Sequence, residues 1–358
     1  MKRRYLWIIA IALALIIGII AFPGINAPAK PQEEETAETV QQSLQWWTED
    51  SRAMASIMDY VTDVCDVTSD AYVEKEDRIA VFDFDGTLYG ELFPTYFDTW
   101  LFIHRALHDE TCVPSEEIRE YAEAMEYAFL HHLPEPDSDL STAQCCAELF
   151  KGMEYGEYVN YIRSFMKEET VGFSGMTFAD GFYLPMVSLV EYLAANDFTV
   201  FISSGSERTM VRELISGVLD EWIPPYRIIG SNFTLAASGQ GSKNGKSYTL
   251  KANDEIVLEG NLDIKNQKAN KVFSIIQEIG QSPLLVFGNS SGDLAMAQYA
   301  LQNGGKGYML LCDETERDYG NIETAASFEQ ECQKMGLETV SMKEDFALIY
   351  QEGFEKTE

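Results

Sequence analysis

Basic residues are scarce in this sequence of 358 residues. It contains 26 Lys and Arg against 58 Asp and Glu, and its formal net charge is −32. Nucleic acid is therefore not an expected partner, because its phosphates require a surplus of basic side chains. The field of the protein also repels small anions at long range. A phosphate site in this chain would need a metal ion and local hydrogen-bond donors.

Histidine and cysteine are also few, and their spacing matches no common metal site. The four histidines, His104, His108, His131 and His132, lie in one segment, so a histidine-ligated metal is not expected. None of the six cysteines forms a C-x-x-C pair, which disfavours a zinc knuckle or a redox motif. They are interpreted as buried thiols, and export would permit one disulfide. The chain also lacks a convincing G-x-S-x-G turn, which presents the serine of many hydrolases.

The N-terminus predicts a membrane anchor over residues 1–27. Residues 2–4 are all basic and precede an apolar run at 6–22, which is near the short limit for a spanning helix. Basic residues before the run place the N-terminus in the cytoplasm and the rest of the chain outside. Cleavage after Ala27 would leave Pro28 in the first mature position, so we expect the anchor to stay. Secretion after signal cleavage is the alternative.

The rest of the chain divides by its apolar pattern. Residues 28–75 are predicted to be a linker followed by helices, because apolar residues recur at helical spacing between Val40 and Val64. Residues 76–90 and 184–358 alternate short apolar runs with helices, which predicts an α/β core with a parallel sheet and helices on both faces. Residues 91–183 carry four helical stretches, which is too much for a crossover and predicts an inserted helical cap.

Five buried strands are predicted in the core, and the fifth is interpreted as the last: Arg78–Asp83, Phe198–Ser203, Tyr226–Gly230, Leu284–Phe287 and Gly307–Leu311. Between the third and fourth strands the chain is polar and rich in glycine. Short alternating stretches there, at Ser247–Leu250 and Glu255–Leu258, predict β-hairpins attached to the sheet.

The motif that carries the most chemistry follows the first strand and reads Asp83-Phe-Asp85-Gly86-Thr-Leu. Ligands of parallel sheets bind at the carboxyl ends of strands, where this motif would lie. The first carboxylate can attack phosphorus and the second can hold a proton for the leaving oxygen. The glycine lets the backbone approach a phosphate closely. Alone, the motif is also compatible with an ordinary polar turn.

Three further elements support the catalytic interpretation. Ser204 and Gly205 end the second strand and offer a hydroxyl and backbone amides to a phosphate oxygen. Lys271 begins an apolar helix before the fourth strand. Asn289 ends that strand and can bind a hard cation through its carbonyl oxygen, while Asp293 adds charge or holds the loop. Four such elements in this order predict a phosphate site.

With these four motifs the sequence resembles the haloacid dehalogenase (HAD) superfamily. It looks most like the phosphoserine-phosphatase-like branch, and within that branch like a group of exported or uncharacterised hydrolases. That group shares the stretches at Arg78–Leu88, Gly288–Asp293 and Met342–Asp345, and the similarity runs from about Gln45 to Tyr350. The resemblance implies a Rossmann-like core with a helical cap inserted after the first strand. It also implies Mg²⁺ and an aspartyl-phosphate intermediate.

The resemblance assigns the central roles. Asp83 would be the nucleophile and Asp85 the general acid and base. Mg²⁺ would be held by the Asp83 carboxylate, the Asp85 backbone carbonyl and Asn289, with Asp293 completing the metal site. Many members of the superfamily have Asp where this chain has Asn289, so replacing Asn289 by Asp is expected to tighten Mg²⁺ binding or leave it unchanged.

The same resemblance implies the contacts to phosphate and substrate. Lys271, Thr87, Ser204 and Gly205 would bind the transferring phosphoryl group. Glu91 and Arg105 would contact the substrate or latch the cap, and the alternative for both is a surface charge or a salt bridge of the cap. Residues 265–270, which contain two other lysines, have a polar composition that indicates a mobile, solvated segment.

The sequence thus predicts a Mg²⁺-dependent hydrolase of small phosphate monoesters that acts through aspartyl-phosphate. Two alternatives remain open. One is transfer of the phosphoryl group to a second alcohol by the same fold. The other is a surface binding module whose turnover is weakened, for which Asn289 would be the first sign. Neither the substrate nor the oligomeric state is encoded in a recognisable motif.

Overall fold

The computed structural model describes residues 44–91 and 93–357. The predicted anchor at residues 1–27 lies outside this part of the chain. None of the helices within the described residues is long and apolar enough to cross a membrane. The six cysteines are all free, and three of them are buried, as expected for structural thiols.

The helices of four or more residues are, in chain order, α1 Arg52–Cys65, α2 Phe97–Leu107, α3 Glu116–Leu130, α4 Thr142–Leu149, α5 Tyr155–Phe165, α6 Leu184–Ala195, α7 Arg208–Leu214, α8 Ala269–Glu278, α9 Leu294–Gln302, α10 Ile322–Met335 and α11 Met342–Asp345. The strands are β1 Ile79–Phe82, β2 Phe173–Ser174, β3 Thr199–Glu207, β4 Ile228–Ala237, β5 Ile256–Ile264, β6 Leu285–Gly288, β7 Lys306–Leu311, β8 Glu338–Ser341 and β9 Glu355–Lys356. Single 3₁₀ turns occur at Lys75–Asp77, Phe178–Asp180, Pro225–Arg227 and Gly245–Ser247.

Seven of these strands form one sheet, in the order β5-β4-β3-β1-β6-β7-β8. Six of them run parallel, and β5 pairs antiparallel with β4 at one edge. The predicted α/β fold with a mainly parallel sheet is therefore confirmed. Because β3, β1 and β6 are neighbours, the loops that leave their carboxyl ends meet at one edge of the sheet.

Helices cover both faces of the sheet, as the fully apolar sequence of β1 predicts. Ile79 and Val81 pack on one side with Ile275 of α8 and with residues of α9 and α10. Ala80 and Phe82 point to the other side, into the larger core that includes α1 and α6. Successive residues of a strand point to opposite faces, so this four-residue strand contributes to both cores.

Two predictions about the strands are wrong. Ser247–Leu250 is not a strand, because a 3₁₀ turn begins the segment and the Tyr248 hydroxyl donates to the Asp254 carboxylate at 2.7 Å. Gly307–Leu311 is not the last strand, because β8 extends the sheet beyond it and β9 pairs with β2. The sequence of β8, Glu-Thr-Val-Ser, is short and polar, as expected for an edge strand, and this is why no apolar run reveals it.

The segment between β1 and α6 contains the four predicted helices, α2 to α5. Serine side chains cap two of them: Ser115 accepts from the Ile118 amide at the start of α3, and Ser141 accepts from the Gln144 amide at the start of α4. α2 packs on α3 through Phe102 and Tyr121, whose ring centroids are 5.9 Å apart. The division into a cap and a core stays a prediction.

Candidate active site

Two aspartates face a cavity at the carboxyl end of β1. The Asp83 backbone N–H donates to the Phe287 carbonyl of β6 at 2.8 Å, which extends the sheet pairing to the first residue of the motif. Asp83 and Asp85 both line a cavity of about 320 Å³. The loop after β1 packs closely against the loop after β6. A Cβ added to Gly86 would lie only 1.9 Å from the Asn289 Nδ2 atom.

Lys271 joins two of the carboxylates. Its Nζ donates to Asp83 Oδ1 at 2.5 Å and to Asp293 Oδ1 at 2.6 Å, and only 2% of its side chain is exposed. Burial alone would lower the pKa of Lys271, but the carboxylates of Asp293 and Asp83 more than offset this and hold its pKa above the ordinary value. The ammonium group therefore stays charged. Sequence reasoning chose this lysine from three, and the structure places it against Asp83.

Asp83 and Asp85 differ in their partners. Burial raises the pKa of Asp83 to about 7, with Asp293 adding to the increase and Lys271 opposing it. Burial also raises the pKa of Asp85 to about 8, and Asp98 and Asp83 add to that increase. Only Asp83 contacts an ammonium group, which favours its charged form. Asp85 has no such partner among the described residues and is suited to hold a proton.

Asp293 holds the loop that follows β6. Its Oδ2 accepts from the backbone N–H groups of Asn289 and Ser290 and from the Ser290 hydroxyl, each at 3.1 Å. Its other oxygen is bonded to Lys271. Both oxygens are thus engaged, so the structure favours the loop-holding role that the sequence allowed over the predicted role as a metal ligand.

The end of β3 contributes a residue that sequence reasoning missed. The Ser206 hydroxyl donates to Asp85 Oδ2 at 2.7 Å, and Ser206 lines the cavity with Gly205. Ser204, the predicted residue, is fully buried; its hydroxyl accepts from the Ser206 amide and lies 3.5 Å from the same Asp85 oxygen. The alternation of a strand that continues to Glu207 could have identified Ser206, because it shares a face with Ser204.

The segment at residues 265–270 is solvated only in part: Gln267, Lys268 and Ala269 are exposed, whereas Asn266 is not. Asn266 is fully buried, and its Nδ2 donates to the Ser203 hydroxyl at 3.1 Å and the Ser204 carbonyl at 3.0 Å. Its backbone N–H donates to the Ser231 hydroxyl at 3.0 Å. Asn266 thereby fixes the end of β3 next to Asp85. Its neighbour Lys265 lines the cavity.

Four predicted contact residues, Thr87, Ser204, Glu91 and Arg105, do not line the cavity. Thr87 is fully buried, and its hydroxyl has no hydrogen-bond partner in the described part of the chain. Arg105 pairs with Asp109 and lies over the rings of Phe150 and Tyr161, at 5.2 and 5.1 Å from their centroids. Its contacts stay within the helical segment, so the expected substrate contact is not observed. Glu91 instead bonds to the Asn289 side chain.

Several residues of the cavity wall were not predicted. Most come from the helical segment and from the polar segment after β5, which carry no motif, whereas Ser290 and Gly292 belong to the motif at Gly288–Asp293 but were assigned no role. The residues are Tyr96, Asp98, Thr99, Glu135, Ser141, Thr142, Ala143, Lys265, Gln267, Ser290 and Gly292.

The described residues contain no group of three or more His, Cys, Asp or Glu side chains arranged to hold a metal ion. The donors expected for Mg²⁺ are of another kind. They are the Asp83 carboxylate, the Asp85 carbonyl, which accepts no hydrogen bond within the described residues, and the Asn289 amide oxygen. In addition, Asp85 Oδ1 is buried without a partner there. An all-oxygen set of this kind fits a hard divalent cation.

No family model matches this sequence, and no curated protein matches it. Similar solved structures include a conserved protein of unknown function from Anaerococcus prevotii, with 14% identity, a TM-score of 0.48, and coverage of 81% of this chain and 91% of that one. Cytosolic 5'-nucleotidase IIIB bound to cytidine has 10% identity, a TM-score of 0.43, and coverage of 81% and 86%. A probable phosphoserine phosphatase from Vibrio cholerae has 14% identity, a TM-score of 0.38, and coverage of 79% of this chain and 75% of that one. At these values the site residues, and not the neighbours, must carry a functional proposal.

Removing the ammonium group of Lys271 should destabilise the fold. Lys271→Ala leaves two buried carboxylates without their cation, so we expect a loss of about 3–5 kcal/mol in the free energy of unfolding. Lys268→Ala, an exposed neighbour, should cost less than about 0.5 kcal/mol. Urea unfolding monitored by circular dichroism measures both.

The loss in the free energy of unfolding caused by Lys271→Ala should become smaller as the pH falls. The pKa of Asp83 is about 7 with Lys271 in place, and loss of the ammonium group raises it further. A carboxyl whose pKa is raised in the folded state takes up protons on folding, so acid stabilises the variant relative to neutral pH. Equal stability of the two lysine variants at neutral pH would contradict the ion-pair interpretation.

Proposed function

We propose that this protein is a Mg²⁺-dependent phosphatase of small phosphate monoesters, in which Asp83 is the covalent nucleophile. The observation that carries the proposal is the arrangement of the two aspartates. Asp83 is paired with buried Lys271, and Asp85, two residues later, is held by the Ser206 hydroxyl at the same cavity. The ammonium group favours the charged form of Asp83, and Asp85 is able to hold a proton.

In the first step the Asp83 carboxylate attacks phosphorus in line. An oxygen–phosphorus bond forms to Asp83 while the bond to the leaving oxygen breaks, and Asp85 transfers its proton to that oxygen. In the second step water attacks the same phosphorus, Asp85 takes up a proton from the water, and the bond to Asp83 breaks. Inorganic phosphate leaves, and both aspartates return to their starting state.

Charge compensation is the main task of the surrounding residues. Bound Mg²⁺ would supply positive charge to the phosphoryl oxygens, which carry most of the charge in the transition state. Lys271 is paired with two carboxylates. Lys265 is the other lysine that lines the cavity. Lys265 would therefore supply the positive charge that an anion needs in a chain whose overall charge is strongly negative.

The size of the cavity supports a small substrate. About 320 Å³ is at the lower end of the range for small-molecule sites. Its walls are polar where they come from the helical segment, with Asp98, Thr99 and Thr142 among them. A phosphorylated metabolite with a polar leaving group fits these walls better than a macromolecule does.

The location of the protein is a separate proposal. The basic residues at 2–4 and the apolar run at 6–22 support a single membrane span with the catalytic domain on the outer face. Protease added to intact cells should then digest the domain and leave the anchor in the membrane fraction. Recovery of the full-length chain in the cytosol would exclude this topology.

Replacing the nucleophile should abolish turnover and preserve the fold. Asp83→Asn is nearly isosteric, and Lys271 keeps its partner Asp293, so we expect phosphate release to fall on the order of a thousandfold or more. Asp63→Asn, on the exposed side of α1, is the matched control and should be fully active. Release of p-nitrophenol from p-nitrophenyl phosphate measures both variants.

The same assay tests the metal. EDTA should remove the activity of the wild-type protein, and added Mg²⁺ should restore it. Retention of more than a few per cent of activity by Asp83→Asn would rule out the covalent route. Full activity in EDTA would rule out the metal.

A further inference from the structure

A contact between Glu91 and Asn289 joins the loop after β1 to the loop after β6. Glu91 Oε1 accepts from Asn289 Nδ2 at 2.6 Å and from the Tyr96 hydroxyl at 3.0 Å. The inference drawn from it rests on the proposed function, in which Asn289 is a ligand of Mg²⁺. It concerns which atom of the Asn289 side-chain amide, the oxygen or the nitrogen, faces the cavity.

The contact shows the orientation of the amide. The Asn289 Nδ2 atom donates to Glu91 Oε1 at 2.6 Å, so the NH₂ end of the Asn289 side chain faces Glu91. The same nitrogen lies 3.8 Å from the Cys312 sulfur. The Oδ1 atom at the other end accepts no hydrogen bond from the described residues, and Asn289 lines the cavity beside Asp83. The contact therefore leaves the oxygen for a cation.

Gly86 limits the movement of both groups on one side, while a second cavity lies beside them on another. A Cβ on Gly86 would lie 1.9 Å from Asn289 Nδ2 and 2.7 Å from Glu91 Oε1, so the glycine backbone packs directly on the pair. An aspartate in place of Asn289 would bring a second carboxylate against Glu91 at hydrogen-bond distance. Two carboxylates in one site repel and disfavour their charged forms.

We propose that Glu91 is a positioning residue that directs the Asn289 amide oxygen toward Mg²⁺, and that Asn is present at 289 because Glu91 occupies the adjacent position. The negative charge that an aspartate would bring to the metal is held one contact further away, on Glu91. This reverses the expectation from sequence, which favoured a gain or no change in Mg²⁺ affinity on replacing Asn289 by Asp.

The first test is metal binding to the full-length protein after treatment with EDTA, with Mn²⁺ as the probe and electron paramagnetic resonance of free Mn²⁺ as the readout. Glu91→Ala removes the acceptor and should weaken the tightest site by about 10–100-fold, as is typical for outer-shell partners of a metal. Glu91→Gln keeps an oxygen acceptor and should stay close to wild type. Glu120→Ala, exposed on α3, controls for the lost charge and should have no effect.

The second test exchanges donor and acceptor in a double-mutant cycle. N289D alone should bind Mn²⁺ about tenfold or more weakly than N289D combined with E91Q, because the side-chain amide introduced at position 91 can donate to the new carboxylate. In EDTA, N289D alone should also unfold at a lower temperature than the double variant. This second readout involves neither metal nor turnover, so a merely catalytic defect would not move it.

The outcomes separate the inference from the proposed function. If N289D binds Mn²⁺ more tightly than wild type whatever residue stands at 91, or if E91A binds like E120A, the inference is overturned and the phosphatase proposal stands. If the wild-type protein has no tight Mn²⁺ site, Asn289 is not a metal ligand, and both the inference and the metal dependence fail. The Asp83→Asn assay judges the covalent route independently.

Discussion

The buried ion pair of Lys271 with Asp83 and Asp293 is the interaction on which the site depends. It joins the helix after β5 to the loops after β1 and β6 through two hydrogen bonds of 2.5 and 2.6 Å. A buried ammonium group and its carboxylates are stable only together, because either alone would carry an uncompensated charge. The pair thus fixes the geometry of the cavity and favours the charged form of Asp83, which a nucleophile requires.

The order of strands explains why residues so distant in sequence meet. Because β1 lies between β3 and β6, the end of β3 with Ser206 lies beside the loops that carry Asp83 and Asn289. Two of these segments are held by side chains to which we assign no chemical step: Asn266 fixes the end of β3, and Asp293 fixes the loop after β6. The net charge of the protein is −32, so the few lysines at the cavity are important for binding an anion there.

Much of this was predictable from local signals. Each buried strand is encoded by a short apolar run. The family resemblance selected Lys271, and its position at the start of an apolar helix supported that choice. What failed were features that tertiary contacts create. The polar edge strand β8 has no apolar run, Asn266 looks solvated by composition, and Ser206 follows the serine that the motif emphasised. Arg105 lies over the rings of Phe150 and Tyr161, a contact that no sequence spacing predicts.

The central claim is a covalent bond between phosphorus and Asp83, and the most direct measurement is to trap it. The protein is mixed with a phosphate monoester and Mg²⁺, quenched in acid within the first turnover, digested, and analysed by mass spectrometry. The account predicts a phosphorylated peptide that contains Asp83. With p-nitrophenyl phosphate, whose leaving group needs no proton from Asp85, its amount should rise in Asp85→Asn, because attack by water then lacks its base. Turnover with no phosphorylated peptide in either protein, or phosphorylation at another residue, would contradict it.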